Sequence, residues 1–256
     1  MSGSHTIRYS VIFLLFAAAA AGQVLYQSGF EAPTFTPGPI SGQDSWNAGP
    51  QIAVENTLNN GGTQGVSVTP EFGVASILAS RSLNNYSVAT MGNLVRIKLD
   101  LFLSATGTAS NWSPIVAVGS QGTMAQILVV LDSTARLGLG GPMVGSVAVT
   151  RGVWNTFELD LDMTAQTATA FVNGTQIGSG TVANTPGNVF NMVEFGLNSL
   201  PGSDLGTFDN LVLTTPNSPA PPPGSSVPAL SGLGLAGLAS LLMVSALFLM
   251  RRRASV

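Results

Sequence analysis

Glu158, Asp160 and Asp162 are the residues whose type and spacing point most directly to chemistry. In an extended strand every second side chain falls on the same face. The run Phe157-Glu158-Leu159-Asp160-Leu161-Asp162 therefore lines three carboxylates along one side and three apolar groups along the other. Two carboxylates can serve as acid and nucleophile; in retaining glycosidases they stand about 5–5.5 Å apart, a scale that alternate strand positions approach. Few other catalytic groups compete. The chain has no cysteine, and its single histidine, His5, lies in a segment expected to be removed. Thiol chemistry, histidine-ligated zinc and Ser-His-Asp hydrolysis are thereby excluded for the mature protein. The plainer reading is a solvent-facing hairpin arm whose last acid opens a turn, and the expectation is a protein that is not an enzyme.

Three aromatic residues are candidates for stacking on sugar rings, because an aromatic ring offers a flat apolar face. Trp46 and Trp112 stand among Gly, Asn and Ser, as loop residues do, and Tyr86 follows an Asn pair. Trp154, at the start of the acidic strand, is expected in the core.

The two ends frame these residues. Arg8, an apolar run from Val11 to Ala21 and the small residues through Gly22 make the pattern of a secretory signal over 1–22. That run is too short to span a bilayer, which needs roughly 20 apolar residues. The other end is different: residues 229–250 carry no charge, and at about 1.5 Å of helical rise per residue they would extend roughly 33 Å. Arg251, Arg252 and Arg253 follow, a basic cluster of the kind that stays on the cytoplasmic side. Residues 216–226, with Pro216, Pro219, Pro221, Pro222 and Pro223, read as a semi-extended linker. The organisation expected is a signal peptide over 1–22, an ectodomain over 23–215, the linker over 216–226, and a C-terminal segment over 227–256 with a transmembrane helix at 229–250.

Within the expected ectodomain five basic residues (Arg81, Arg96, Lys98, Arg136, Arg151) meet all twelve acidic ones, a net charge of −7. Such a surface repels phosphate backbones, so nucleic acid is excluded as a partner.

Between the ends, short apolar or alternating runs are separated by Gly, Asn, Pro and Ser, without an amphipathic helix. Leu94 to Leu103 alternates as one strand; Ile115 to Val118 and Ala125 to Leu131 are uniformly apolar. The clearest hairpin runs from Thr156 to Ile177, with a polar turn from Met163 to Gln166 and a second turn at Asn173-Gly174, a pair that tolerates positive φ. Repeated strands without helices predict an all-β sandwich.

The residues also carry a family resemblance. Trp154-Asn155-Thr156-Phe157-Glu158-Leu159 and the later Phe171-Val172-Asn173-Gly174 resemble the Trp-x-x-Phe strand and Val-Asn/Asp-Gly hairpin of concanavalin A-like lectin/glucanase domains of the LamG type. Phe30-Glu31, then Gly42-Gln43-Asp44-Ser45-Trp46, and the closing Phe208-Asp209-Asn210-Leu211 agree with the same pattern. The resemblance implies a jelly-roll sandwich. From related carbohydrate-binding modules it implies a structural calcium held by Glu31, Asp209 and Asn210, oxygen donors that suit this ion. From laminarinase-type glucanases it implies the alternative of a catalytic strand at Glu158, Asp160 and Asp162, although Asp162 stands where that family has Glu. The segment Val227-Pro228-Ala229-Leu230-Ser231-Gly232-Leu233-Gly234, with the apolar span and the arginines, resembles the IPTL-CTERM sorting signals, relatives of the PEP-CTERM signals that exosortases process. Gly232-Leu233 replaces the Glu-Trp pair of those signals. The implied partners are a sortase-like membrane protease and the membrane itself.

The function expected is that of an exported cell-envelope or extracellular-matrix protein with a non-catalytic, polysaccharide-binding domain. A glycoside hydrolase and a protein-binding adhesion module are the alternatives.

Overall fold

The computed structural model describes residues 23–71, 74, 76–83, 92–106, 110–182, 189–199 and 204–216. The expected signal peptide, most of the linker, the sorting residues Val227, Pro228, Ala229, Leu230 and Ser231, the apolar span and Arg251, Arg252 and Arg253 lie outside them, as does Tyr86. Among the described residues no helix is long and apolar enough to cross a membrane.

Among the described residues sixteen strands follow in chain order: β1 (Gln23–Ser28), β2 (Gly38–Pro39), β3 (Trp46–Ala48), β4 (Ile52–Glu55), β5 (Gly65–Val68), β6 (Ile77–Ser82), β7 (Leu94–Leu103), β8 (Asn111–Gly119), β9 (Gly122–Val129), β10 (Thr134–Gly138), β11 (Met143–Ala148), β12 (Trp154–Asp162), β13 (Thr167–Val172), β14 (Thr175–Thr181), β15 (Phe190–Ser199) and β16 (Gly206–Thr215). They form two antiparallel sheets. One has nine strands in the order β14-β13-β12-β7-β16-β5-β4-β2, with β1 also on β16; the other has seven, in the order β11-β10-β9-β8-β15-β6-β3. The inner faces share one apolar core that draws Ile97, Leu99, Phe157, Leu159 and Phe208 from the first sheet and Ile115, Ile127, Leu137, Val193 and Phe195 from the second. This is the expected all-β sandwich of jelly-roll type.

Strand periodicity explains the layering. In β12 the buried residues are Asn155, Phe157, Leu159 and Leu161, and the partly exposed ones alternate with them. The strand Leu94–Leu103 appears with the predicted bounds, and β9 begins and ends two to three residues earlier than its apolar run suggested. The second hairpin turn has Asn173 at φ 49° and Gly174 at φ 76°. Two successive positive φ values match the right-handed twist of the flanking strands, which is why this dipeptide serves here.

One topological detail positions a cluster of polar groups. β16 pairs along one edge first with β5, through Phe208 opposite Val66, and then with β1, through Leu211 opposite Ser28. Asp209 and Asn210 occupy the changeover, where the register with β7 also shifts and Asn210 has φ 52°. A bulge of this kind re-aims side chains.

Candidate functional site

The two candidate sugar-stacking tryptophans are core residues. Trp46 opens β3 and is only 2% exposed; its ring lies 5.0 Å from that of Phe195, and its indole N–H donates to the Tyr26 hydroxyl at 3.2 Å. Tyr26 in turn donates to Asp44 Oδ2 at 2.7 Å and lies under the Arg81 guanidinium, 4.0 Å from its centroid. Burial and the Asp44 bond push the Tyr26 hydroxyl up to about 12. Trp112 is fully buried on β8, donating to Asp204 Oδ2 at 3.1 Å. Glycine at 206 makes room for it, since a Cβ there would stand 2.5–2.9 Å from three ring atoms. The expectation of exposed loop positions is corrected for both: each stands on a strand with its ring in the shared apolar core. Trp154 is corrected in the opposite sense. It is half-buried on the outer face, opposite Phe102, with ring centroids 5.7 Å apart.

The three acids of β12 share the outer face, as expected, but cations occupy the first two. Arg96 and Lys98 stand directly across from Asp160 and Glu158 in the β7–β12 register. Arg96 binds Asp160 through Nε and Nη2 at 2.7 Å each and reaches Glu158 at 3.0 Å; Lys98 adds a 2.8 Å contact to Glu158. Asp162 Oδ1 accepts the N–H groups of Thr164 and Ala165 at 2.9 and 2.8 Å and opens the turn. These contacts describe a cross-strand ion ladder and a turn cap.

Glu31, Asp209 and Asn210 gather where β16 changes partners, and Asp100 of β7 joins them. Asp209 is 1% exposed; its two oxygens accept the N–H groups of Asn60 and Asn210 at 2.7 Å each. Asp100 Oδ2 accepts from the side-chain amides of Asn60 and Asn210 at 2.8 and 3.0 Å, and its Oδ1 accepts from the Thr156 hydroxyl at 2.6 Å. Glu31 accepts from the N–H of Thr63, the Thr63 hydroxyl and the N–H of Gln64. No Lys or Arg among the described residues pairs with Asp100, Asp209 or Glu31. Burial, reinforced by the charges of Glu31 and Asp100, outweighs the two backbone bonds and pushes Asp209 up to about 6. Burial also acts against the charge on Glu31, but the Thr63 and Gln64 bonds together hold its carboxyl below the usual range.

Two observations test this cluster for a cation. The point where a Cβ of Gly29 would sit is bracketed by Asn210 Oδ1 at 3.7 Å, Asp209 Oδ1 at 3.9 Å and Glu31 Cγ at 3.6 Å. The side-chain oxygen of Gln64, whose N–H binds Glu31, is buried without a donor. Unneutralised carboxylates and an orphaned oxygen suit a hard cation. Among the described residues, however, no three carboxylates or histidines converge on a common point in ligating geometry, since Glu31 is turned to Thr63 and Gln64. Asp100 was not singled out in the sequence; its outward position in β7 was visible, but its pairing with Asp209 across β7–β16 was not.

A further group, missed from the sequence, lies on the outer face of the seven-stranded sheet. Register places Asn47, Ser80, Glu194, Val116, Gln126 and Gly138 in one row across six strands. Ser113 lies opposite Gly196 in the next row, at the β8 bulge. Among the described residues Glu194, half-buried, has no hydrogen-bond or ion-pair partner, and burial raises its carboxyl. Ser113 is fully buried and its hydroxyl lacks a partner, as does the Arg136 Nε two strands away. Buried polar groups are normally satisfied, so this face carries hydrogen-bonding capacity that the protein itself does not use. The signal was present in Val193-Glu194-Phe195, an acid at the outward position of an apolar strand.

No protein-family model matches the chain, and no curated protein matches it by sequence. Solved structures do resemble it in fold. Cellulose-induced protein Cip1 superposes with a TM-score of 0.55 at 14% identity, over 74% of this chain and 97% of that one. A carbohydrate esterase of the Shiga toxin-encoding bacteriophage phi24B gives 0.55 at 13% identity, over 76% of this chain and 99% of that one. A sialidase gives 0.51 at 11% identity, over 71% of this chain but only 18% of its own length. These neighbours are all-β jelly rolls, compatible with a concanavalin A-like domain, and at such identities the likeness is one of fold.

Proposed function

We propose that the chain is an exported, non-catalytic glycan-binding module. The outer face of the seven-stranded sheet is its contact surface, and a structural calcium is held where β16 changes partners. The observation that carries the reading is the half-buried Glu194, without a partner among the described residues, in one row with the polar side chains of Asn47, Ser80 and Gln126. Sugar hydroxyls both donate and accept, so they match a carboxylate, amides and hydroxyls set on a rigid sheet. The ligand class is supported by fold neighbours that include a cellulose-induced protein, a carbohydrate esterase and a sialidase. The non-catalytic reading is supported by Glu158 and Asp160, whose oxygens are engaged by Arg96 and Lys98 in cross-strand ion pairs.

Asp209 and Asn210 would hold the calcium, Glu31 would join them on turning from Thr63 and Gln64, and Asp100 adds negative charge. The ion would tie β16, the segment after β1 and the loop before β5 together. Export through 1–22 and retention or sorting through 227–256 complete the reading, the latter by a sortase-like membrane protease acting at the Val227-Pro228-Ala229-Leu230-Ser231 segment and its arginine cluster.

Affinity electrophoresis through gels containing laminarin, mixed-linkage β-glucan, xylan or cellulose derivatives tests the binding face. At least one glycan retards the ectodomain, and Glu194→Ala weakens the retardation without changing the melting temperature. Retardation by none, or equal retardation of the variant, rejects the assignment.

A further inference from the structure

The nine-stranded sheet exposes its own aromatic group at one end. Thr207, Phe102 and Trp154 stand in a row across β16, β7 and β12 on the outer face. The two rings are half-buried and tilted at 58° to each other. Two of the chain's exposed large apolar residues lie at the same end: Leu205, 53% exposed, whose carbonyl accepts from the Ser104 N–H, and Val153, 47% exposed, directly before Trp154. Beside the rings Thr156 is exposed; its hydroxyl donates to Asp100, leaving its oxygen able to accept.

We infer that Trp154 and Phe102 form a second glycan-contact point, on which the apolar face of a neutral sugar ring stacks. The size of the patch selects this occupant. Aromatic side chains offer about 150–250 Å² each, and these two are already half covered. With two aliphatic neighbours they fall well short of the roughly 800 Å² that each partner contributes to a stable protein pair. One pyranose ring needs no more than one indole. The net negative charge of the domain favours a neutral sugar over an anionic one. The position agrees. Gln23 is registered opposite Thr215, whereas the patch lies at the Gly206 end of β16, nine residues or about 30 Å away at strand rise. A tether leaving after Thr215 would therefore hold the patch at the far end of the domain. The inference shares the ligand class of the proposed function but uses a different face.

Trp46 and Trp112 are buried, so of the three tryptophans Trp154 is the one open to a quencher. The test is acrylamide quenching of the ectodomain's fluorescence with and without laminarin, mixed-linkage β-glucan or xylan. The expected result is protection by at least one of them, with affinity for that glycan, read by isothermal titration calorimetry, about tenfold lower in Trp154→Ala and largely kept in Trp154→Phe. No protection by any of the three overturns the inference. So does protection that appears without glycan as protein concentration rises, which would make the occupant a second copy. Gel retardation that depends on Glu194 while Trp154 stays unprotected overturns the second contact point alone; protection of Trp154 with retardation indifferent to Glu194 overturns the sheet-face assignment alone.

Discussion

Arg96 grips Asp160 with two parallel hydrogen bonds of 2.7 Å, from directly opposite it on the neighbouring strand. That single pairing decides how the most suggestive stretch of the sequence is used. A carboxylate held by a two-pronged guanidinium is fixed in orientation, which makes it a good cross-strand tie. Burial acts against the Arg96 charge, but the Asp160 bond and the charges of Asp160 and Glu158 outweigh it and hold the guanidinium above its usual range.

Removing the tie should cost stability and nothing else. Arg96→Ala leaves Asp160 and part of Glu158 without a partner, and a loss of about 1–3 kcal/mol is expected, read as a lower urea midpoint with unchanged slope. Glu158→Gln should release no more and no less reducing sugar from β-glucans than the parent, namely none. Turnover that disappears in Glu158→Gln would restore the catalytic alternative.

The buried tryptophans should behave as core. Trp46→Ala and Trp112→Ala are expected to lose about 3–5 kcal/mol each, because both indoles are enclosed and both lose a hydrogen bond. Denaturant unfolding measures this. A variant of either residue that keeps full stability while losing glycan binding would return that residue to the surface.

Asp209 makes the metal-free domain sensitive to pH in a defined direction. Its carboxyl rises from 3.8 to about 6 on folding, so the folded state holds its proton more tightly than the unfolded one. Between these values the native state binds more protons, and stability falls as pH rises. The penalty is absent below about 4 and complete above about 6, on the order of 1–3 kcal/mol. Melting curves in EDTA should show this decline, and millimolar calcium should flatten it and raise the melting temperature near pH 7. Identical curves with and without calcium would reject the ion.

Asp204 offers a separate check on burial. It is fully buried and accepts from the Ser110 hydroxyl, the Trp112 indole and Arg151. Burial opposes its charge, yet these bonds together hold its carboxyl below the usual range. Asp204→Ala strands a guanidinium and an indole N–H, and a loss of about 3–5 kcal/mol is expected from equilibrium unfolding. A loss below about 1 kcal/mol would mean that water replaces the carboxylate.

The strands were legible because their period is local. Alternation in 94–103 and 154–162 assigned each residue to a face, and Asn173-Gly174 declared its turn, since each depends on residues only one or two positions away. Glu31, Asp209 and Asn210 were legible through their resemblance to a known pattern, and the structure brings them to one junction although they lie at opposite ends of the domain. Trp46 and Trp112 misled because Gly, Asn and Ser nearby suggest a loop, whereas burial is set by what the opposite sheet supplies. Glu194 passed unnoticed because its isolation exists only across neighbouring strands.

Composition and periodicity by themselves determined that this domain is a β-sandwich, that it lacks cysteine and histidine chemistry, and that its acids of β12 face outward. All three follow from residue identity and from the two-residue repeat of an extended chain. Only the tertiary structure decided which charges meet, which rings are covered and which carboxylates stand alone. Those outcomes depend on pairings across long stretches of sequence, such as the 150 residues between Asn60 and Asn210, and no local pattern encodes a partner that far away.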